Sequence, residues 1–152
     1  MVALFDVNVL VALLDAGHMH HTAATQYLSQ HLQDGWASCP LTQNGCIRIL
    51  SQADYPNRAP AAEVATRLAE ATEHTAHRFW PDAFSLLTPG FINWKRLLSG
   101  RHLTDTYLLA LAVKNNGLFV TLDKGIPLSA VQGAQDRHLV VLNTPSPASA
   151  PM

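Results

Sequence analysis

The sequence predicts an α/β fold with a mainly parallel sheet covered by helices on both faces, and three observations lead there. Short apolar runs at residues 2–5, 36–39, 118–122 and 139–142 lack polar alternation, as strands buried on both sides do. Segments with a helical apolar stripe lie between those runs. The clearest of these begins at Thr104, a good N-cap residue, and stops at Gly117. Strands alternating with helices favour a parallel arrangement.

Taken in order, residues 2–5 form a first strand that ends at Asp6, and residues 7–14 continue as a helix. Residues 17–20 are a polar break. Residues 21–32 carry Ala23, Ala24, Tyr27, Leu28 and Leu32 at helical spacing, and Gly35 precedes a second strand at 36–39. Pro40 opens a third helix at its favoured first-turn position, with Leu41, Ile47, Ile49 and Leu50 as its apolar content. A Tyr-Pro-Asn-Arg loop follows at 55–58, and the Ala- and Glu-rich residues 61–75 read as a helix with a solvated face. Residues 79–87 mix aromatics with Pro81, which predicts a short strand or extended segment, and residues 91–98 predict a short helix. The helix from Thr104 to about Asn116 places Leu108, Leu111 and Ala112 inward.

A length of 152 residues and a hydrophobic fraction of 48% fit one domain over 1–143. The Pro/Ser/Ala-rich residues 144–152 read as a disordered tail. A net charge of −1 removes the global basic field of many nucleic-acid binders, so any RNA contact rests on a local patch and bound cations. The charged fraction of 14% is low, consistent with a surface covered by a partner. Cys39 and Cys46 lie in apolar surroundings and read as buried thiols of a reducing compartment. Asp6 interrupts the first apolar run and no basic segment precedes it, so it is not a signal peptide. No apolar stretch approaches a membrane span. The expected location is the cytoplasm.

In open α/β sheets, ligands bind beyond the carboxyl ends of the strands. Asp6 and Asp123 each follow an apolar strand directly, and Asp105 lies in the first turn of a helix, where the dipole favours a carboxylate. Singly, each is an ordinary cap or turn residue. At one edge they are different: two carboxylates about 5 Å apart repel by on the order of 3 kcal/mol at an effective dielectric of about 20. The natural relief is a hard divalent cation, Mg²⁺ or Mn²⁺. Such an ion orients a water nucleophile and stabilises charge on a phosphate oxygen, which is nuclease chemistry.

The segments FDVNVLVALLD, LTDTYLLALA and TLDKGI resemble, in order and spacing, the successive motifs of the PIN-domain family and of its VapC-type toxins, from the first strand to about Leu142. The resemblance implies a three-layer α/β/α PIN-like fold. It also implies a Mg²⁺-dependent endoribonuclease, the toxin of a type II toxin–antitoxin module, cleaving RNA phosphodiesters with metal-activated water. By that likeness Asp6, Asp105 and Asp123 match the metal-binding catalytic acids. Asn8 matches the small polar residue after the first acid, and Thr121 the hydroxyl residue before the last. A homodimer is implied, together with a cognate antitoxin that lays an apolar segment over a groove and a basic side chain into the acidic centre. The sequence departs from the family in one place. A further acid, most often Glu, is usual on the helix after the second strand, and here no acid occurs between Gly35 and Gln52. Asn44 is the nearest match, with Gln43 or Gly45 taking its place if the register slips. An amide oxygen can bind a metal's water but supplies no charge, which weakens a second metal site. Arg48 resembles the family's basic residue on that helix, suited to a phosphate, a partner's carboxylate or a surface ion pair.

Weaker features have ordinary readings. His18, His20 and His21 sit in a polar turn without nearby cysteines and read as an exposed loop rather than a zinc site. His102, three residues before Asp105, is either an active-site contact or a loop residue. Lys95, Arg96, Arg101, Lys114 and Lys124 form a basic rim or simply solvate exposed faces. Two other functions compete with this reading. A phospho-acceptor receiver domain needs an Asp closing a middle strand, where this chain has Cys39, with Asp54 in the Tyr-Pro loop. A non-catalytic PIN-like binding module fits the missing helix acid. Nothing resembles the GxGxxG of a dinucleotide site after the first strand.

Overall fold

Strand residues that are apolar at every position must be covered on both sides, and the computed structural model, which describes residues 1–74 and 76–143, shows how. The strands are β1 (Ala3–Phe5), β2 (Trp36–Ser38), β3 (His77–Phe79), β4 (Leu118–Thr121) and β5 (Leu139–Val141). They pair in the order β3-β2-β1-β4-β5, every pair parallel. The helices are α1 (Val7–Leu14), α2 (His21–Gln30), α3 (Pro40–Leu50), α4 (Ala61–His74) and α5 (Leu103–Lys114). The expected tail at 144–152 lies outside the described residues.

Alternation along the strands divides the core into two layers. Ala3, Phe5, Trp36 and Val120 face one side, where Val9, Leu10, Cys46, Leu50, Val64 and Leu68 of the first, third and fourth helices cover them. Leu4, Ala37 and Phe119 face the other side and meet α5. From Thr106 to Ala112 every residue of α5 is buried, which explains why that helix is apolar all round rather than striped. This is the α/β/α layering expected. Pro40 sits at the start of α3, both cysteines are buried and free, and no helix among the described residues is long and apolar enough to cross a membrane.

Three local expectations are corrected. The third strand is His77–Phe79, and residues 80–102 are irregular with short turns and an isolated bridge from Ile92 to Val131, including a 3-10 turn at Trp94–Arg96 in place of the helix expected over 91–98. The aromatics there serve packing: Phe84 stacks on Phe91 at 4.3 Å and on Tyr107 of α5 at 4.6 Å. Thr104 does not cap α5. A 3-10 turn at Gly100–His102, capped by the Ser99 hydroxyl, runs straight into the helix and puts His102 at the cap position. At the far end, Asn116 takes the left-handed conformation (φ 54°), and the Gly117 N–H closes on Ala112 O at 2.8 Å. Gly117 is there for space, since a Cβ would come within 2.5 Å of Val2 O and 2.6 Å of Trp80.

Candidate metal centre

Parallel pairing of β1 with β4 aligns Phe5 with Val120, so the residues just beyond, Asp6 and Thr121, emerge side by side at the carboxyl edge. Asp6 is the N-cap of α1. Its Oδ1 accepts the Val7 N–H at 2.7 Å, and its Oδ2 accepts the Thr121 hydroxyl at 2.6 Å. The Thr121 oxygen in turn accepts the Asp123 N–H at 3.1 Å, which holds the turn after β4. Asn8 closes the same corner, its Oδ1 accepting the Leu122 N–H at 3.3 Å. Asp105 enters from the first turn of α5.

One carboxylate oxygen from each of Asp6, Asp105 and Asp123 lies within 4.8 Å of the other two. Asp6 is 4% exposed, Asp105 half-buried and Asp123 exposed. Burial pushes the Asp6 carboxyl up to about 7, against the lowering pull of Thr121, and the charges of Asp105 and Asp123 add to the rise. Burial and the adjoining Asp123 carboxyl push Asp105 up to about 6. The donor set is all hard oxygen, convergent and electrostatically strained, which is the chemistry that suits Mg²⁺ or Mn²⁺.

A cleft of about 460 Å³ opens over two of these acids, lined by Arg101, His102, Asp105, Asp123, Lys124 and Gly125. His102 thus reaches the site edge, as its spacing from Asp105 allowed. Gly125 was not anticipated, and the LDKG sequence carried no signal for it beyond its place after the third acid.

The other expected residues are not drawn in. Asn44 and Arg48 lie one turn apart on α3, both exposed, and their side chains make no hydrogen bond or ion pair among the described residues. Neither lines the cleft. Gln43 instead donates to the Ser38 hydroxyl at 3.0 Å, which also contacts His77 Nε2 at 2.7 Å. Gly45 packs against Val7. Lys114 sits 5.1 Å over the Phe91 ring, away from the acids. His18 and His21 are engaged locally: His18 Nδ1 accepts the His20 N–H at 3.0 Å, and His21 Nδ1 contacts Ala12 O at 2.7 Å. Among the described residues, the three aspartates are the one group of histidines, cysteines and acids placed to share a metal ion.

Known proteins similar to this chain include named ribonucleases. The chain is similar to the ribonuclease VapC44 of Mycobacterium tuberculosis, 46% identical over 142 residues that cover 93% of this chain and 100% of that one. It is also similar to the ribonuclease VapC39 of the same organism, 38% identical over 135 residues, covering 88% and 96%. Among solved structures, VapBC2 from Rickettsia felis bound to a DNA fragment from their promoter contains a chain with the same fold. That match has a TM-score of 0.56, 14% identity, and covers 81% of this chain and 89% of the other. No protein-family model matches the chain.

Proposed function

The chain belongs to the VapC ribonuclease family, and from that premise we propose that it is an endoribonuclease toxin of a type II toxin–antitoxin pair. In this reading Asp6, Asp105 and Asp123 are its catalytic acids and hold a divalent ion. The observation that carries the reading is the convergence of those three carboxylates within 4.8 Å at the carboxyl edge of a parallel sheet. A bound Mg²⁺ or Mn²⁺ would supply Lewis acidity, making a water nucleophilic at neutral pH and stabilising charge on the phosphate oxygens.

The chain's own residues set the stage for that chemistry. Thr121 and the Val7 N–H each occupy one oxygen of Asp6, fixing its carboxylate plane. Asn8 spends its carbonyl oxygen on the Leu122 N–H and keeps its amide donors for a water or phosphate. By likeness alone, Asn44 and Arg48 of α3 are assigned to substrate or water positioning; both are exposed and neither lines the cleft.

Three further features extend the proposal. An apolar groove lined by Leu10, Leu13, Leu14, Leu28, Trp36 and Leu68 supports a cognate antitoxin that lays an apolar segment there. Largely exposed Leu87 and Leu98 support a covered surface, which a homodimer supplies. The two buried free thiols support action in the reducing cytoplasm.

The test is direct. The purified chain should cleave RNA with Mg²⁺ or Mn²⁺ and not with EDTA, and Asp105→Asn should abolish cleavage. Expression alone should arrest growth, and Asp6→Ala should relieve the arrest. A well-folded chain that cuts no RNA with either ion would instead favour a non-catalytic PIN-like binding module, the reading that the acid-free α3 suits.

A further inference from the structure

The cleft beside the aspartates holds two cations that form no ion pair among the described residues. Arg101 and Lys124 share its lining with Asp105 and Asp123, yet among the described residues neither cation pairs with a carboxylate. Among the described residues, the one polar contact of the Arg101 side chain is with its neighbour: Nε donates to His102 Nε2 at 3.4 Å. That contact orients the guanidinium and leaves its four terminal N–H donors free, the fork that matches a phosphate. His102 is held in turn by the opposite loop. A Cβ at Gly125 would come within 3.3 Å of His102 Cε1, so the glycine lets the turn after β4 close against the ring.

We propose that Arg101, oriented by His102, and Lys124 form a phosphate-binding wall of the cleft, which holds a backbone phosphate of the RNA strand next to the one cleaved. This rests on the ribonuclease reading above and names how that site takes its substrate. Charge balance supports it. Three carboxylates against two cations leave the site negative, and a divalent ion turns it positive, so a polyanion is admitted when the metal is in place. Arg101 and Lys124 are both exposed, so the wall is open to a strand running along the surface.

The experiment measures binding of a labelled single-stranded RNA oligonucleotide with Ca²⁺ filling the oxygen-donor site in place of Mg²⁺, as a function of KCl, and scores only the uncut strand. Loss of one phosphate contact lowers the slope of log K against log salt by about 0.7. Arg101→Ala and Lys124→Ala should each lower it by that amount, and Lys95→Ala, outside the cleft, should leave it unchanged. With Mg²⁺ or Mn²⁺, Arg101→Ala should raise KM about tenfold and leave kcat near the wild-type value. His102→Ala, which removes the orienting contact and the ring's packing on Gly125 but no cation, should weaken binding less than Arg101→Ala. An unchanged slope in both cleft variants overturns the proposal, as does an equal loss in Lys95→Ala, which marks diffuse attraction. A wild-type chain that binds with the expected slope differences but never cleaves RNA keeps the wall and sinks the ribonuclease reading.

Discussion

Thr121 and Asp6 stand 115 residues apart in the chain, and the hydroxyl of the first donates to Oδ2 of the second at 2.6 Å with both side chains buried. A hydrogen bond to a charged partner contributes about 1.5–3 kcal/mol, and its loss leaves a buried acceptor bare. Thr121→Val keeps the shape and removes the donor. It should lower stability by about 2 kcal/mol in urea titrations at pH 8. Metal affinity should fall roughly tenfold to a hundredfold by calorimetry, the usual effect of losing a ligand's outer partner. Thr121→Ser should restore both. Retention of full metal affinity in the valine variant would show that Asp6 needs no such support.

The raised acids make the metal-free fold sensitive to pH in a definite direction. Asp6 titrates at about 7 against an ordinary 3.8, and Asp105 at about 6. Between pH 4 and 7 the folded chain therefore holds protons that the unfolded chain has released. Stability falls as pH rises through that window. In EDTA, the stability measured at pH 8 should be lower than at pH 5 by on the order of 3 kcal/mol, with Asp6 the larger contributor. Mg²⁺ should raise the melting temperature more at pH 8 than at pH 5, because the ion binds the deprotonated carboxylates. A flat metal-free profile across this range would mean that the acids are not strained together.

The acids were legible in the sequence because a parallel sheet has one chemical edge, and strand ends and helix starts are visible as patterns. Asp6 and Asp123 close apolar runs, Asp105 opens a helix, and the structure brings all three together. The Thr121–Asp6 bond was not legible, because it depends on which residue of β1 pairs with which of β4. The region from 80 to 102 was misread for a related reason. Its aromatics suggested a strand, but Phe84 takes its place from tertiary contacts with Phe91 and Tyr107, which no local period reveals. Likeness alone placed Asn44 and Arg48 at the site, Asn44 in place of an acid that this chain lacks and Arg48 as a basic residue of the same helix, and neither lines the cleft.

Gly45 offers a test of how tightly the first and third helices fix the site. A Cβ there would lie 2.5 Å from Val7 Cγ2, closer than packed atoms come. Glycine to alanine within a helix normally gains up to about 1 kcal/mol. Here the sign should reverse, with Gly45→Ala costing about 1–3 kcal/mol through overpacking. Because the Val7 N–H also anchors Asp6, metal affinity should fall as well. Adding Val7→Ala should recover most of both losses, a coupling that a double-mutant cycle reads. Additive losses in the double variant would show that the two residues do not press on one another.

Asp105→Asn should separate function from folding. The change keeps the side-chain volume at the start of α5 and removes a half-buried charge that stands against Asp123 and Asp6. In EDTA at pH 8 the variant should therefore be more stable than the wild type by about 1–2 kcal/mol, a rise in melting temperature of roughly 2–8 °C for a chain of this size. RNA cleavage with Mg²⁺ should fall by at least about a hundredfold, since the site loses a charged oxygen donor. The stabilisation by Mg²⁺ should shrink in step. Opposite movements of stability and activity are what a metal centre built from mutually repelling carboxylates requires. A variant that loses both together would place Asp105 in the packing of α5 instead.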